Sequence, residues 1–208
     1  MNPVPKWPML VYFICVAFTF TASTLFHIFG PHSGPAYEFL IRLDFTSVII
    51  LLLGIFYPLF TYASHCYGIF STIYLPILTI VSSVVFYVLL FVKEENPERS
   101  TYIMFVLGVS YLVPMVHLAI LENWFDNLGD PLKFSEVSSK FWLAVLVITL
   151  GLLIKLTKFP ECFFPGKFDL SCHSHVLWHL SVIIAVGLSY YVNWEFYYLR
   201  RAALCPAV

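Results

Sequence analysis

Apolar residues in this chain come in long blocks. No charged residue falls between Lys6 and Glu38, and none between Asp44 and Lys93. A helix crossing the hydrocarbon core of a bilayer needs about 20 predominantly apolar residues, rising about 1.5 Å each. The first block therefore holds one crossing, 9–29. The second is too long for one and suits two, 43–62 and 69–92, with the turn near Ser64 and His65. Charged segments then mark off 101–121, 138–157 and 173–197. The fifth span is the shortest charge-free run, Phe141 to Ile154, and it crosses if Lys140 and Lys155 snorkel to the interfaces. Pro31–Ile41, KEENPERS (93–100), Glu122–Ser139 and Lys158–Cys172 are expected to be loops. Pro58, Pro76 and Pro114 fall inside spans, where proline bends a helix.

The prediction is an all-α, polytopic transmembrane helix bundle of six spans, one domain over 1–208. Composition agrees: 60% of residues are apolar and 11% charged, against about a quarter charged in soluble domains. A net charge of −1 gives no reason to expect nucleic acid as a partner. A signal peptide at the N-terminus is the weaker reading, because the apolar run continues past Ala22–Ser23 and carries Thr19, Ser23 and His27 on one face. Five scattered cysteines do not suggest a disulfide framework, with a Cys162–Cys172 loop bridge the lesser alternative to free thiols. Basic residues divide five against six between the two faces, so they set no orientation.

Span order puts particular polar residues at one depth. The first span ends on the face opposite the termini, and its last turns hold Ser23 and His27. The second begins there with Asp44. The sixth begins there with His175 and His179. Residues four apart share one helix face. His65 and His117 belong to the other face, while His32 and His173 lie in or beside loops. An Asp at mid-bilayer costs roughly 2.5–3.5 kcal/mol on insertion scales, so such residues usually face a partner. Three imidazoles and a carboxylate at one depth suit a divalent cation, and three His with one open position is a catalytic zinc arrangement. His27, His175 and His179 are the candidate ligands. Asp44 is a fourth ligand or a base holding a water, and Ser23 a hydrogen-bond donor to that water or to a developing oxyanion. The competing readings are hydrogen bonds between helices for the histidines, an interfacial Asp44–Arg42 pair, and helix packing for Ser23.

Ser23-Thr-Leu-Phe-His27, then Leu43-Asp44-Phe45, then Ser174-His175-x-x-x-His179 resemble the progestin and adipoQ receptor family and its hemolysin III-type relatives. The loop Phe159-Pro-Glu-Cys-Phe-Phe-Pro-Gly-Lys-Phe-Asp169 is similar to that family's P-E-R-x-x-P-G-K-F-D signature, with Cys162 where arginine is usual. The resemblance runs from about Trp7 to Trp194. It implies a seven-helix bundle with zinc held by His27, His175 and His179 near the cytoplasmic face, beside Asp44 and Ser23. In that pattern the S-x-x-x-H span is the second, so the expectation is a chain without the family's first helix. The implied function is a zinc-dependent hydrolase of a lipid amide such as ceramide. The alternatives are a ligand-sensing receptor of adiponectin or steroid type with a structural zinc, and a membrane scaffold or trafficking regulator. Partners implied are a ceramide-like lipid or receptor ligand, the membrane, and a second copy of the chain.

Overall fold

A computed structural model describes residues 4–91, 97–124, 131–168 and 171–202, the side chains of 97–101, 121–124 and 131–135 excepted. The elements are α1 (Trp7–Phe29), a 3-10 turn at Gly30–His32, α2 (Gly34–Ala63), α3 (Gly68–Phe91), α4 (Pro97–Ser110), α5 (Leu112–Trp124), α6 (Pro131–Thr157) and α7 (Ser174–Ala202). Among the described residues there is no strand, and six helical segments are long and apolar enough to cross a membrane. The protein is an integral, multi-pass membrane protein.

Two expected loops are largely helical. The segment read as a loop over Pro31–Ile41 is instead the start of α2, from Gly34. Ser33 is extended and its side chain accepts a hydrogen bond from the Ala36 amide at 3.3 Å, while proline occupies the first turn. A capping serine followed by proline opens a helix as readily as Pro and Gly break one. Likewise α6 begins at Pro131, inside the expected Glu122–Ser139 loop. Residues 93–96 and 125–130 of the expected loops, Val92 at the end of the expected third span, and Asp169 of the loop signature lie outside the described residues.

Three internal prolines behave differently. Pro58 and Pro76 stay inside α2 and α3. Pro114 falls at the third position of α5, and the fourth span is divided there, at Tyr111. Proline lacks the amide that would bond the carbonyl four residues back, and its ring crowds that carbonyl. Tyr111 is 1% exposed; its hydroxyl shares a 2.6 Å hydrogen bond with Ser82 of α3, and its ring packs on Phe56 of α2 at 4.8 Å.

The chain forms two compact units, Met1–Gly129 with Arg200–Val208, and Asp130–Leu199. In the first, α1 lies tightly against α2. A Cβ on Gly54 would fall 2.3 Å from that of Cys15, so only glycine permits this approach. The Thr19 hydroxyl donates to the Cys15 carbonyl at 3.0 Å and to the Ser47 carbonyl of α2 at 2.9 Å. Arg200 is buried and donates through Nη2 to the Ala63 carbonyl at 2.6 Å, satisfying the open end of α2.

In the second unit α6 and α7 run antiparallel and meet at three levels. Lys140 Nζ reaches both carboxylate oxygens of Glu195, at 2.9 and 3.0 Å, and lies over the Tyr191 ring. Gly151 abuts Ser181. Lys155 Nζ lies 5.2 Å from the centre of the Trp178 ring. The two lysines at the limits of the fifth span are thus held by partners on the neighbouring helix. Cys162 and Cys172 are exposed free thiols, not a bridge, and Cys66 is disulfide-bonded.

Candidate metal centre

The α1–α2 contact sets the register of the first group of candidates. Thr19 touches Ser47. In antiparallel helices, one turn onward along α1 reaches Ser23, and one turn back along α2 reaches Asp44. The sequence-predicted pair therefore shares a level, each residue half-buried. Asp44 also takes the Ser47 hydroxyl on its main-chain carbonyl at 2.6 Å, which holds this turn of α2. One further turn along α1 is His27, exposed, with its ring 5.1 Å from Phe26. Phe26 packs in turn on Tyr37 at 5.7 Å, a contact that exists because α2 starts early.

The second group lies at the start of α7. His175 and His179 are half-buried, their rings 4.6 Å apart and nearly perpendicular at 86°. Their Nε2 atoms are 3.0 Å apart. Two nitrogens each about 2.0–2.1 Å from a tetrahedral zinc would stand about 3.3 Å apart, so the pair fits two ligand positions on one ion. The His173 ring is stacked parallel to His175 at 6.2 Å.

The entrance to α7 is built by the preceding loop. Glu161 accepts a hydrogen bond from the Ser174 amide on Oε2 at 2.8 Å and one from the Ser174 hydroxyl on Oε1. Desolvation pushes the Glu161 carboxyl up, but the Ser174 hydroxyl, the Glu161 and Ser174 amides and the nearby His173 outweigh it and hold the group below the usual carboxylate range. The loop signature was legible in the sequence, but nothing in its spacing disclosed that its glutamate meets Ser174.

His117 and His65 have partners within the first unit. His117 shares a 2.9 Å hydrogen bond through Nδ1 with the Tyr74 hydroxyl and packs edge-on against Phe70. His65 follows α2; burial first, and then the positive charge of Arg200, lower its pKa. Within the second unit, His175 and His179 remain as two imidazoles placed to share a metal ion.

A model of the haemolysin-III-related family matches residues 1–190. The chain belongs to that family. Among curated relatives, it is 30% identical over 203 residues to heptahelical transmembrane protein ADIPOR3 of Oryza sativa subsp. japonica, covering 94% of this chain and 49% of the relative. It is 29% identical to the adiponectin receptor protein of Drosophila melanogaster, over 86% of this chain and 39% of the relative. It is 28% identical to progestin and adipoQ receptor-like protein 1 of Caenorhabditis elegans, over 93% and 43%. This haemolysin-III-related chain spans about half the length, or less, of these three. The family expected from the S-x-x-x-H, Asp44 and H-x-x-x-H residues is thus the family found.

Proposed function

We propose that this haemolysin-III-related protein is a zinc-dependent amidohydrolase acting on a lipid amide of the ceramide class. His27, His175 and His179 hold the metal, with Asp44 and Ser23 beside it. The observation that carries the reading is the His175–His179 pair, whose Nε2 atoms stand 3.0 Å apart on one helix face. The shared level of Ser23 and Asp44 adds to it.

Zinc in such a set supplies Lewis acidity and brings the pKa of a water from about 16 toward about 7. Asp44 would accept a proton from a water directed at the amide carbonyl and would return it to the leaving amine nitrogen. The Ser23 hydroxyl donates to the carbonyl oxygen as negative charge develops there. The surface of α1 beside His27 is apolar and exposed, with Leu25, Ile28 and Phe29, so an acyl chain can arrive from the bilayer itself.

The test is metal content of the purified protein by mass spectrometry, followed by ceramide turnover. About one zinc per chain is expected, lost in the His175→Ala/His179→Ala variant. Asp44→Asn should retain zinc and lose turnover. A folded wild-type protein without metal ends the hydrolase reading; full turnover by Asp44→Asn removes Asp44 as the base.

A receptor reading, with the same zinc tying helices together, is favoured by the relatives bearing adiponectin receptor and progestin and adipoQ receptor-like names. Bound zinc with saturable ligand binding and no turnover of any sphingolipid would select it.

A further inference from the structure

We infer that Glu161 is a positioning residue for the metal site: it fastens the first turn of α7 and thereby fixes where His175 presents its nitrogen. The inference rests on the zinc reading above and adds a residue to it.

His175 is the second residue of α7. The first turn of a helix is where amides lack internal partners and fraying begins. Here Val176 and Leu177 both reach back to the His173 carbonyl, at 3.0 and 3.1 Å. The Ser174 amide and hydroxyl turn instead to Glu161, thirteen residues earlier. Both carboxylate oxygens are therefore spent on the one residue that precedes His175, and Ser174 is 6% exposed. A negative charge at a helix N-terminus is also favoured by the aligned peptide dipoles.

Glu161 is itself held. Lys158 adopts a left-handed φ of 52° and ends α6, with the Phe159 amide reaching back to the Ile154 carbonyl at 3.1 Å. The Cys162 amide then bonds the Lys158 carbonyl at 2.8 Å, and the Phe163 amide bonds the Pro160 carbonyl at 3.0 Å. On the other side, Cys172 takes φ 59°, a costly left-handed bend for a residue with a side chain, just before α7 starts. The carboxylate bridges these two bends. It ties the end of α6 to the start of α7, so the 3.0 Å spacing of the histidine nitrogens depends on it.

The test uses the full chain in detergent and metal alone as probe. Zinc affinity is measured by competition with a chelator, and ligand geometry by the visible spectrum of the cobalt(II)-loaded protein. Glu161→Ala should weaken zinc about tenfold, the low end for partners that orient ligands, and should alter the cobalt bands. Glu161→Gln, which can still accept from the Ser174 amide, should restore most of the affinity. Ser174→Ala, which keeps the amide bond and loses the hydroxyl bond, should fall between. Unchanged affinity and cobalt spectrum in folded Glu161→Ala overturns the positioning role and leaves the metal reading standing. Wild-type protein that binds no metal overturns both. Should Glu161→Ala fail to fold, the same comparison is decided by Glu161→Gln and Ser174→Ala, and wild-type spectra and affinity in both overturn the role.

Discussion

Gly151 and Ser181 touch so closely that a Cβ on the glycine would fall 1.8 Å from the serine Oγ and 2.5 Å from its Cβ. Helices in membranes associate through small residues that let backbones approach. Gly151→Ala should therefore destabilise the α6–α7 pair by about 1–3 kcal/mol, the usual cost of overpacking. Ser181→Gly on the same chain should restore most of the loss, read as the unfolding midpoint in detergent. A Gly151→Ala protein as stable as wild type would show that α6 and α7 do not pack at this level.

Thr19 offers a lighter version of the same test. Its hydroxyl alone joins α1 to the Ser47 carbonyl while also bonding its own helix. Thr19→Val keeps the shape and removes both bonds. Interhelical hydrogen bonds in bilayers average about 0.6 kcal/mol and reach about 1.7, so a loss in that range is expected. Because this contact sets the level of Ser23 and Asp44, the hydrolase proposal expects ceramide turnover to fall more than stability does. Equal turnover in Thr19→Val would detach the register from the chemistry.

Arg200 and His65 are linked. Arg200→Met removes the charged donor from the Ala63 carbonyl and should cost about 1.5–3 kcal/mol, as for hydrogen bonds to charged groups. It should also let the His65 pKa rise partway toward its ordinary value, since burial, the larger cause, remains. A lowered imidazole pKa means the unfolded chain binds the proton first. The stability His65 contributes is present above about pH 6.5 and lost as pH falls through that range. A shallower acid slope in Arg200→Met, with His65 titrating higher by NMR, is the expected result.

The Glu161 carboxyl has the opposite acid chemistry but the same sign. Its pKa is held down, so its cap on α7 is fully present above the ordinary glutamate range, about pH 4.3, and is lost as pH falls through its lower folded value. Wild type should lose its stability advantage over Glu161→Gln on acidification below that point. A constant difference down to pH 3 would mean that charge contributes nothing to the cap.

The six spans were legible because a bilayer demands long apolar runs, and Lys6–Glu38 or Asp44–Lys93 have no other soluble explanation. The early start of α2 was not, because Pro31, Gly34 and Pro35 read as loop punctuation until Ser33 is seen capping Ala36. Nor was the divided fourth span, since Pro58 and Pro76 have the same sequence signal as Pro114 yet leave their helices whole. Spacing placed His175 over His179, since four residues make about one turn. Glu161 escaped because its partner is thirteen residues away across a turn-rich loop, and no periodicity relates them.

The turn at Tyr111 has a consequence for anchorage. The fourth span is interrupted for one residue only, and the Tyr111 amide still reaches back to the Leu107 carbonyl at 3.3 Å. That one residue is fastened to two neighbouring helices, by ring contact with Phe56 and by the hydroxyl shared with Ser82. The weakest turn of the span is thus the one its neighbours hold.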